Sequence, residues 1–480
     1  MRIVRALFTR SQAAIMQPLI TVVGATGTGK SKLAVDIAKR FNGEVINGDA
    51  MQLYRGLPII TNKIPMYERE GVTHHLIDFI GLEEESWRIG QFRKECLRVI
   101  QDIHSRGKIP VLVGGTSYYV QSVLFNDALV GEGADDVLSD DKQAEQQESG
   151  ERMSGVWAIL DAPVEAMMEK LREVDPVMAN RWHINDGRKI RRSLEIYLKT
   201  GRPASEIYEE QMRQRQAAID KTEGVTAGQL RYSTLVFWVH AERENLYRRL
   251  ENRVDTMAEQ GLIAEAQSLS EYAVEQEAQG NPVDLSRGIW VSIGYKEIEP
   301  YFTAIRNGNL SEKELETLRE SCLESVKTST RQYSTRQVQW IRKKLWTALA
   351  DIGATNQLYV LDTTDPGAWD SCVAEPMERI VQAFLDNGNL QDPKTLSRLA
   401  EETLTEREHN YKKVTVPPAQ TLRQMTCEVC NKTMMGQEQW DIHIRAAAHR
   451  RVLKAAAKKA RNMEWLRNHP PAEAIDGQPA

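Results

Sequence analysis

Regular patterning begins with a short apolar run, Leu19 to Val23, followed by GATGTGKS and then by Leu33, Ala34, Ile37 and Ala38 at helical spacing. This order predicts a strand, a glycine-rich loop and a helix. A second apolar run, EVIN, leads to Asp49, and a third, IPVLV, leads to Gly114-Gly115-Thr116. Between them residues 86–106 carry a helical pattern, so strands and helices alternate as in a parallel α/β sheet. In such sheets ligands collect beyond the carboxyl ends of the strands, where the loop, Asp49 and Thr116 would all lie.

From 131 to 151 the chain is acidic and polar, with almost nothing apolar to bury, and reads as a loop. GVWAILDAP then reads as a return strand, and 163–174 and 186–200 as helices. TLVFWVH, 234–240, predicts another buried strand, helical patterns continue from 242 to about 346, and QLYVLDTT predicts a last strand before a closing helix. Beyond Asn387 the sequence turns polar and carries Pro417-Pro418, as a linker would. The expected organisation is therefore a P-loop core (17–127 and 233–386) and an acidic loop with a helical insertion (128–232). A linker (387–420) and a C-terminal module (421–480) follow.

Composition adds limits. The 480 residues suffice for two or three domains, and 41% hydrophobic with 27% charged residues is ordinary for a globular chain with a sizeable core. No apolar run reaches the ~18 residues that a membrane span needs. With a net charge of −5, any nucleic-acid surface must be a local basic patch. The five cysteines are scattered and odd in number, which points to a reducing compartment. Residues 1–16 carry Arg2, Arg5 and Arg10 with no acid, as an organelle-targeting segment does, although a frayed basic terminus reads the same way. Starting at Met16 would delete that segment and leave the first strand intact, so both a mitochondrial and a cytoplasmic location are expected.

The chemistry begins in GATGTGKS, which fits G-x-x-x-x-G-K-[ST]. Gly24, Thr26, Gly27, Thr28 and Gly29 bring backbone close to a polyphosphate, Lys30 bridges phosphates and Ser31 can hold Mg²⁺. The pattern leaves open whose phosphates are held. Asp49 adds a carboxylate suited to a Mg²⁺ ligand or to a base for an acceptor, and Gln52, whose amide can pair two edges of an adenine, favours the second role. Thr116 supplies a hydroxyl at the head of a helix, which a plain strand-to-helix turn would also explain. STRQYSTRQVQWIRKK interleaves basic residues with Tyr333 and Trp340, a mixture that suits phosphate contact with base stacking or an amphipathic helix packing Trp340 inward.

Near the end, Cys427-x2-Cys430-x12-His443-x5-His449 places two thiolates on a hairpin knuckle and two imidazoles on one helix. This is the ligand set of a structural zinc site, with Trp440 covering the metal. From 445 to 467 eight Lys or Arg face one acid, Glu464, giving a local polyanion surface.

Together GATGTGKS, INGDAMQLYRGLPIITNK, VGGTSYYVQ, HINDGRKIRRSLEIYLKTGRP, LENRVDTM, SIGYKEI and STRQVQWIRK make the chain resemble the tRNA dimethylallyltransferases of eukaryotic, fungal type. The resemblance runs from about Leu19 to Trp346, with the finger behind it. It implies that the phosphates belong to dimethylallyl diphosphate and that the acceptor is the exocyclic amine of adenosine 37 in the tRNA anticodon loop. It also implies catalytic roles for Asp49, Thr116, Lys30 and Arg253. The tRNA contacts it implies are Asp49, Ala50, Met51 and Gln52; Arg188, Lys189, Arg191 and Arg192; Gly294, Tyr295 and Lys296; and Arg336, Gln337, Trp340 and Arg342. Ala50 stands where a serine is common, which removes a hydroxyl contact. The expected cofactors are Mg²⁺ and structural Zn²⁺, and the expected state is a monomer off the membrane. An ATP-dependent kinase of a small metabolite, or a catalytically silent RNA-binding protein, are the alternatives that the phosphate loop and the finger alone would allow.

Overall fold

The computed structural model describes residues 17–126, 158–182, 184, 186–208, 210, 229–413, 424–429, 432–435, 437–446, 449–454 and 461. They belong to two compact units, the first holding 17–126 and 229–413 and the second the remaining described segments.

The first unit is built on a six-stranded parallel sheet. Its strands are β1 (Pro18–Gly24), β2 (Gly43–Asn47), β3 (His74–His75), β4 (Ile109–Gly114), β5 (Ser233–His240) and β6 (Leu358–Asp362), in the spatial order β3-β2-β4-β1-β5-β6. Val22 lies opposite Val113 on one side and Phe237 on the other. Strands covered on both faces must be apolar throughout, which is why the three central runs contain so little alternation. Successive residues still point to opposite layers. Ile20, Val22 and Phe237 pack with Leu33 and Ile37 of α1 (Lys30–Arg40) and with Met377 and Ile380 of the helix Glu375–Leu385. Leu19, Val23 and Trp238 face a larger cluster with Phe92 of α2 (Ile89–Ser105), Val123 of α3 (Ser117–Leu124) and Leu345. The two-residue strand β3 has no apolar run and was not expected; it pairs only with Val45 and Ile46 at the sheet edge.

The second half adds long helices, Arg243–Gln260, Leu262–Ala278, Tyr295–Asn307 and Glu312–Trp340, the last begun by a capping box of Ser311 and Glu314. It runs on through a π-helical turn, Ile341–Leu345. The expectation of a linker over 387–420 is corrected for 387–413. Arg398–Lys413 is a helix whose Ala400 and Leu404 are buried in the main core, and Tyr411 meets Trp346 edge-on at 5.6 Å and bonds Asp351. Residues 414–420 lie outside the described residues.

In the second unit the helices Val164–Val174, Pro176–Arg181 and Gly187–Thr200 enclose their own small core of Met168, Leu171, Met178, Ile190 and Leu194. The expected return strand at GVWAILDAP is instead a 3-10 turn at Ala158–Asp161, with 155–157 outside the described residues. Among the described residues no strand pairs with it. The same unit contains a hairpin of β7 (Gln424–Cys427) and β8 (Lys432–Met435) followed by the helix Gln437–Arg445. Among the described residues no helix is long and apolar enough to cross a membrane.

Candidate active site and zinc finger

The loop 24–29 leaves β1 and delivers the chain into α1 at Lys30, so the unpaired amides of the first helical turn point at whatever the loop holds. Gly29 is left-handed (φ 92°), and a Cβ there would come within 2.7 Å of the Trp369 ring, which excludes any other residue. Thr28 is buried and turns its hydroxyl inward to the Ala25 carbonyl at 2.9 Å. Thr28 therefore shapes the loop, while Ser31 stays half-buried at the helix start, where a cation shared with a polyphosphate would sit.

Lys30 Nζ is held by the Ala25 carbonyl at 2.8 Å. Burial pulls its pKa down to about 8 against the opposing pull of the Asp49 carboxylate, and the Arg253 charge lowers it further. Burial likewise raises Asp49, with the Met51 amide, Lys30 and the Gln52 amide opposing. Arg253, on the helix Arg243–Gln260, is lowered to about 10 by burial alone, and its Nε is buried with no partner among the described residues. Two cations and a carboxylate thus share one desolvated place at the carboxyl ends of β1 and β2, a place that asks for an anion.

Asp49 is fixed by short-range bonds. Its amide donates to the Asn47 side-chain oxygen at 3.0 Å, and its Oδ1 accepts from the Met51 amide at 3.0 Å. The other oxygen rests on Gly115, where a Cβ would come within 2.3 Å of Oδ2. Thr116 Oγ1 accepts from the Ala50 amide at 2.9 Å, and the Thr116 amide donates to Gly48. The hydroxyl expected beside the acceptor therefore also ties the β2 and β4 ends together. Gln52 donates from Nε2 to the Asn62 carbonyl at 3.0 Å, which orients its amide.

The remaining expected RNA contacts divide. Arg336 and Lys296 are exposed, and Arg342 pairs with Glu406. Tyr295 is 4% exposed and packs edge-on against Trp290, so its side chain serves the core. Trp340 is partly buried and packs against the main cluster, as the inward-packing reading expects. Gly294 is buried at φ 114° and donates to Glu297. Gln337 is 4% exposed and bonds the Thr26 amide and the Gly115 carbonyl, so it too faces inward. Ala50 and Met51 are half-buried beside Asp49. In the insertion helices Lys189 lies over the Trp182 ring, Arg191 donates to Leu160 and Glu195, and Arg192 is buried against Glu195. The Arg188 side chain lies outside the described residues.

Sequence reasoning missed Glu265, which accepts from the amides of Ile59 and Ile60 and so pins the loop after Gln52. It also missed Tyr333 as a donor to Gly115 at 3.3 Å. Glu265 sits in no local pattern that marks chemistry, and Tyr333 was read only as part of the basic and aromatic mixture of STRQYSTRQVQWIRKK.

In the finger, Cys427, His443 and His449 present donor atoms all within 4.8 Å of one another, with Cys427 Sγ 3.7 Å from His449 Nδ1. Such separations suit ligands about 2.0–2.3 Å from one zinc ion. Cys430 lies outside the described residues. The two imidazoles were expected on one helix, but Gln437–Arg445 ends before a bend at Ala446, and His449 is helical, with 447 and 448 outside the described residues. Six residues along an unbroken helix would leave the two imidazoles about 120° apart around its axis, and the bend at Ala446 departs from that geometry. Trp440 lies 6.4 Å from the His443 ring.

A phosphate loop with a facing carboxylate, carried on a parallel sheet, defines a transferase that works on phosphorylated donors. Residues 52–344 match the IPP transferase family and residues 425–449 match the zinc fingers of C2H2 type, and the chain belongs to the IPP transferase family. It is 37% identical to the tRNA dimethylallyltransferase of Schizosaccharomyces pombe over 95% of this chain and 99% of that one. With the human tRNA dimethylallyltransferase it shares 30% identity over 91% of this chain and 86% of the other. It is also similar, at a TM-score of 0.71 and 34% identity over 94% of this chain and 99% of the other, to the crystal structure of a eukaryotic dimethylallyltransferase acting on tRNA.

Proposed function

We propose that this chain transfers the dimethylallyl group of dimethylallyl diphosphate to the exocyclic 6-amino group of adenosine 37 in the tRNA anticodon loop. The observation that carries the reading is the half-buried, desolvated triad of Lys30, Arg253 and Asp49 beside the phosphate loop, in a member of this family. An allylic diphosphate ionises readily, because negative charge spreads over phosphate oxygens while positive charge spreads over the allyl unit. Loop amides, Lys30 and Arg253 stabilise the departing diphosphate as the carbon–oxygen bond breaks. The adenine amine is a poor nucleophile and too weak an acid to be ionised first. Asp49 therefore accepts a hydrogen bond, orients the amine for attack, and takes its proton as the new carbon–nitrogen bond makes that nitrogen acidic.

Adenosine 37 must leave its stack to reach the crevice, and Gln52 stands at its rim as the reader of the base edge. Ser31 would hold Mg²⁺, which neutralises diphosphate charge when bound. Cys427, His443 and His449, with Cys430 as the fourth ligand that the sequence spacing supplies, would fill all positions of a structural zinc site. The finger and its basic segment grip the tRNA backbone. The acid-free segment 1–16, outside the described residues, supports a division between mitochondrion and cytoplasm. Fluorescent fusions beginning at Met1 and at Met16 test it, and identical distributions would remove it. A monomer is the state we assign, checked by sedimentation.

The deciding experiment supplies labelled dimethylallyl diphosphate or labelled ATP with unmodified tRNA. Label from the prenyl donor should appear in the tRNA as N6-isopentenyladenosine. Transfer of phosphate without prenyl would establish the kinase alternative instead.

A further inference from the structure

Gln337 is polar, buried and two-handed. Its Oε1 accepts from the Thr26 amide of the phosphate loop at 2.8 Å, and its Nε2 donates to the Gly115 carbonyl at 3.0 Å. This amide orientation is dictated by the partners, since an N–H needs an acceptor and a carbonyl needs a donor. Gly115 is the residue on which the Asp49 carboxylate rests, and a Cβ there would also meet Gln337 Nε2 at 3.3 Å. One helical turn earlier, Tyr333 donates to the same carbonyl at 3.3 Å. The helix Glu312–Trp340 thus spans from the donor-holding loop to the floor beneath the catalytic carboxylate through a single side chain, while Arg336 on the same helix is exposed.

We propose that Gln337 is a positioning residue that fixes the distance between the diphosphate loop and Asp49, and not a contact to RNA. The inference rests on the prenyl-transfer reading for the identity of the donor. The loop and the Gly115 turn come from different strands, β1 and β4, and their ends lie at the active-site rim, where the strand ladder no longer holds them. Gln337 supplies the missing cross-tie. Without it the two halves of the site separate by the small amount to which in-line attack is most sensitive.

The test compares Gln337→Met, which removes both bonds at similar volume, Gln337→Glu, which keeps the acceptor for Thr26 and loses the donor for Gly115, and Arg336→Ala. With full-length protein, Gln337→Met should lower kcat by ~10- to 100-fold and raise KM for dimethylallyl diphosphate, with the tRNA dissociation constant within ~3-fold of wild type. Gln337→Glu should lower kcat with the smaller change in donor KM, and Arg336→Ala should weaken tRNA binding while the affinity for inorganic diphosphate is kept. Calorimetric titration with inorganic diphosphate should show weaker binding to Gln337→Met. Weakened tRNA binding with kcat and diphosphate affinity unchanged would make Gln337 an RNA contact and overturn the proposal. So would wild-type behaviour of Gln337→Met in every assay. If Gln337→Met does not fold, the split in Gln337→Glu decides. A wild-type enzyme that transfers no prenyl group would fault the functional reading alone, because the diphosphate titration still judges Gln337.

Discussion

Burial holds the Asp49 carboxyl above the ordinary carboxylate range, and the Met51 amide and Lys30 only partly offset it. A base acts when deprotonated, so activity should rise with pH through that raised pKa. The acid limb of kcat/KM is accordingly expected above the ~4 of a free aspartate, and a profile from pH 4.5 to 8 locates it. An acid limb at or below 4 would contradict the burial argument. Asp49→Ala should lower turnover at least ~100-fold and leave tRNA affinity within severalfold. Arg253 has a buried Nε with no partner among the described residues, and an anionic leaving group would satisfy it. Arg253→Gln should lower kcat/KM for the prenyl donor by on the order of 100-fold, read from donor saturation curves at fixed tRNA.

The loop 57–63 shows how a segment without regular structure is made rigid. Glu265, from the helix Leu262–Ala278, accepts from the Ile59 and Ile60 amides, with the shortest bond at 2.8 Å. Lys63 returns to Tyr54, Gly56 and Asp78, and the Asn62 carbonyl then holds Gln52. Removing one acceptor strands two amides, at a cost of about 1–3 kcal/mol for each buried donor left unpaired. Glu265→Ala should therefore speed hydrogen exchange at Ile59 and Ile60 while the β1 amides remain protected. Unaltered exchange at both amides would show that the loop is held by its other bonds.

The protein is acidic overall, with a net charge of −5, yet Arg445, Arg450, Arg451, Lys454 and Arg461 of the finger region are exposed. These exposed cations lie in the second unit, and the polyanion grip proposed for them is local. Deleting 421–480 should weaken tRNA binding and flatten its salt dependence by about one logarithmic slope unit or more. Chelation of zinc should do the same to the full chain, because the finger's ligands are held together by the metal. Equal salt slopes for full-length and truncated proteins would assign the grip to the first unit.

The sequence by itself determined the parts whose information is local. β1, β4 and β5 are buried on both faces and so read as unbroken apolar runs, the phosphate loop is a contiguous motif, and the zinc ligands sit at fixed spacing. The helix Arg398–Lys413 looked like a linker because charge covers it, and only Ala400, Leu404 and Tyr411 reveal what it packs against. Tertiary structure alone decided that Gln337 turns inward and that Tyr295 lies in the core. It also decided that Glu265 reaches a loop some two hundred residues earlier in the chain. A polar side chain carries the same local pattern whether it meets water or a distant backbone amide, so its role is fixed only when the fold brings that amide to it.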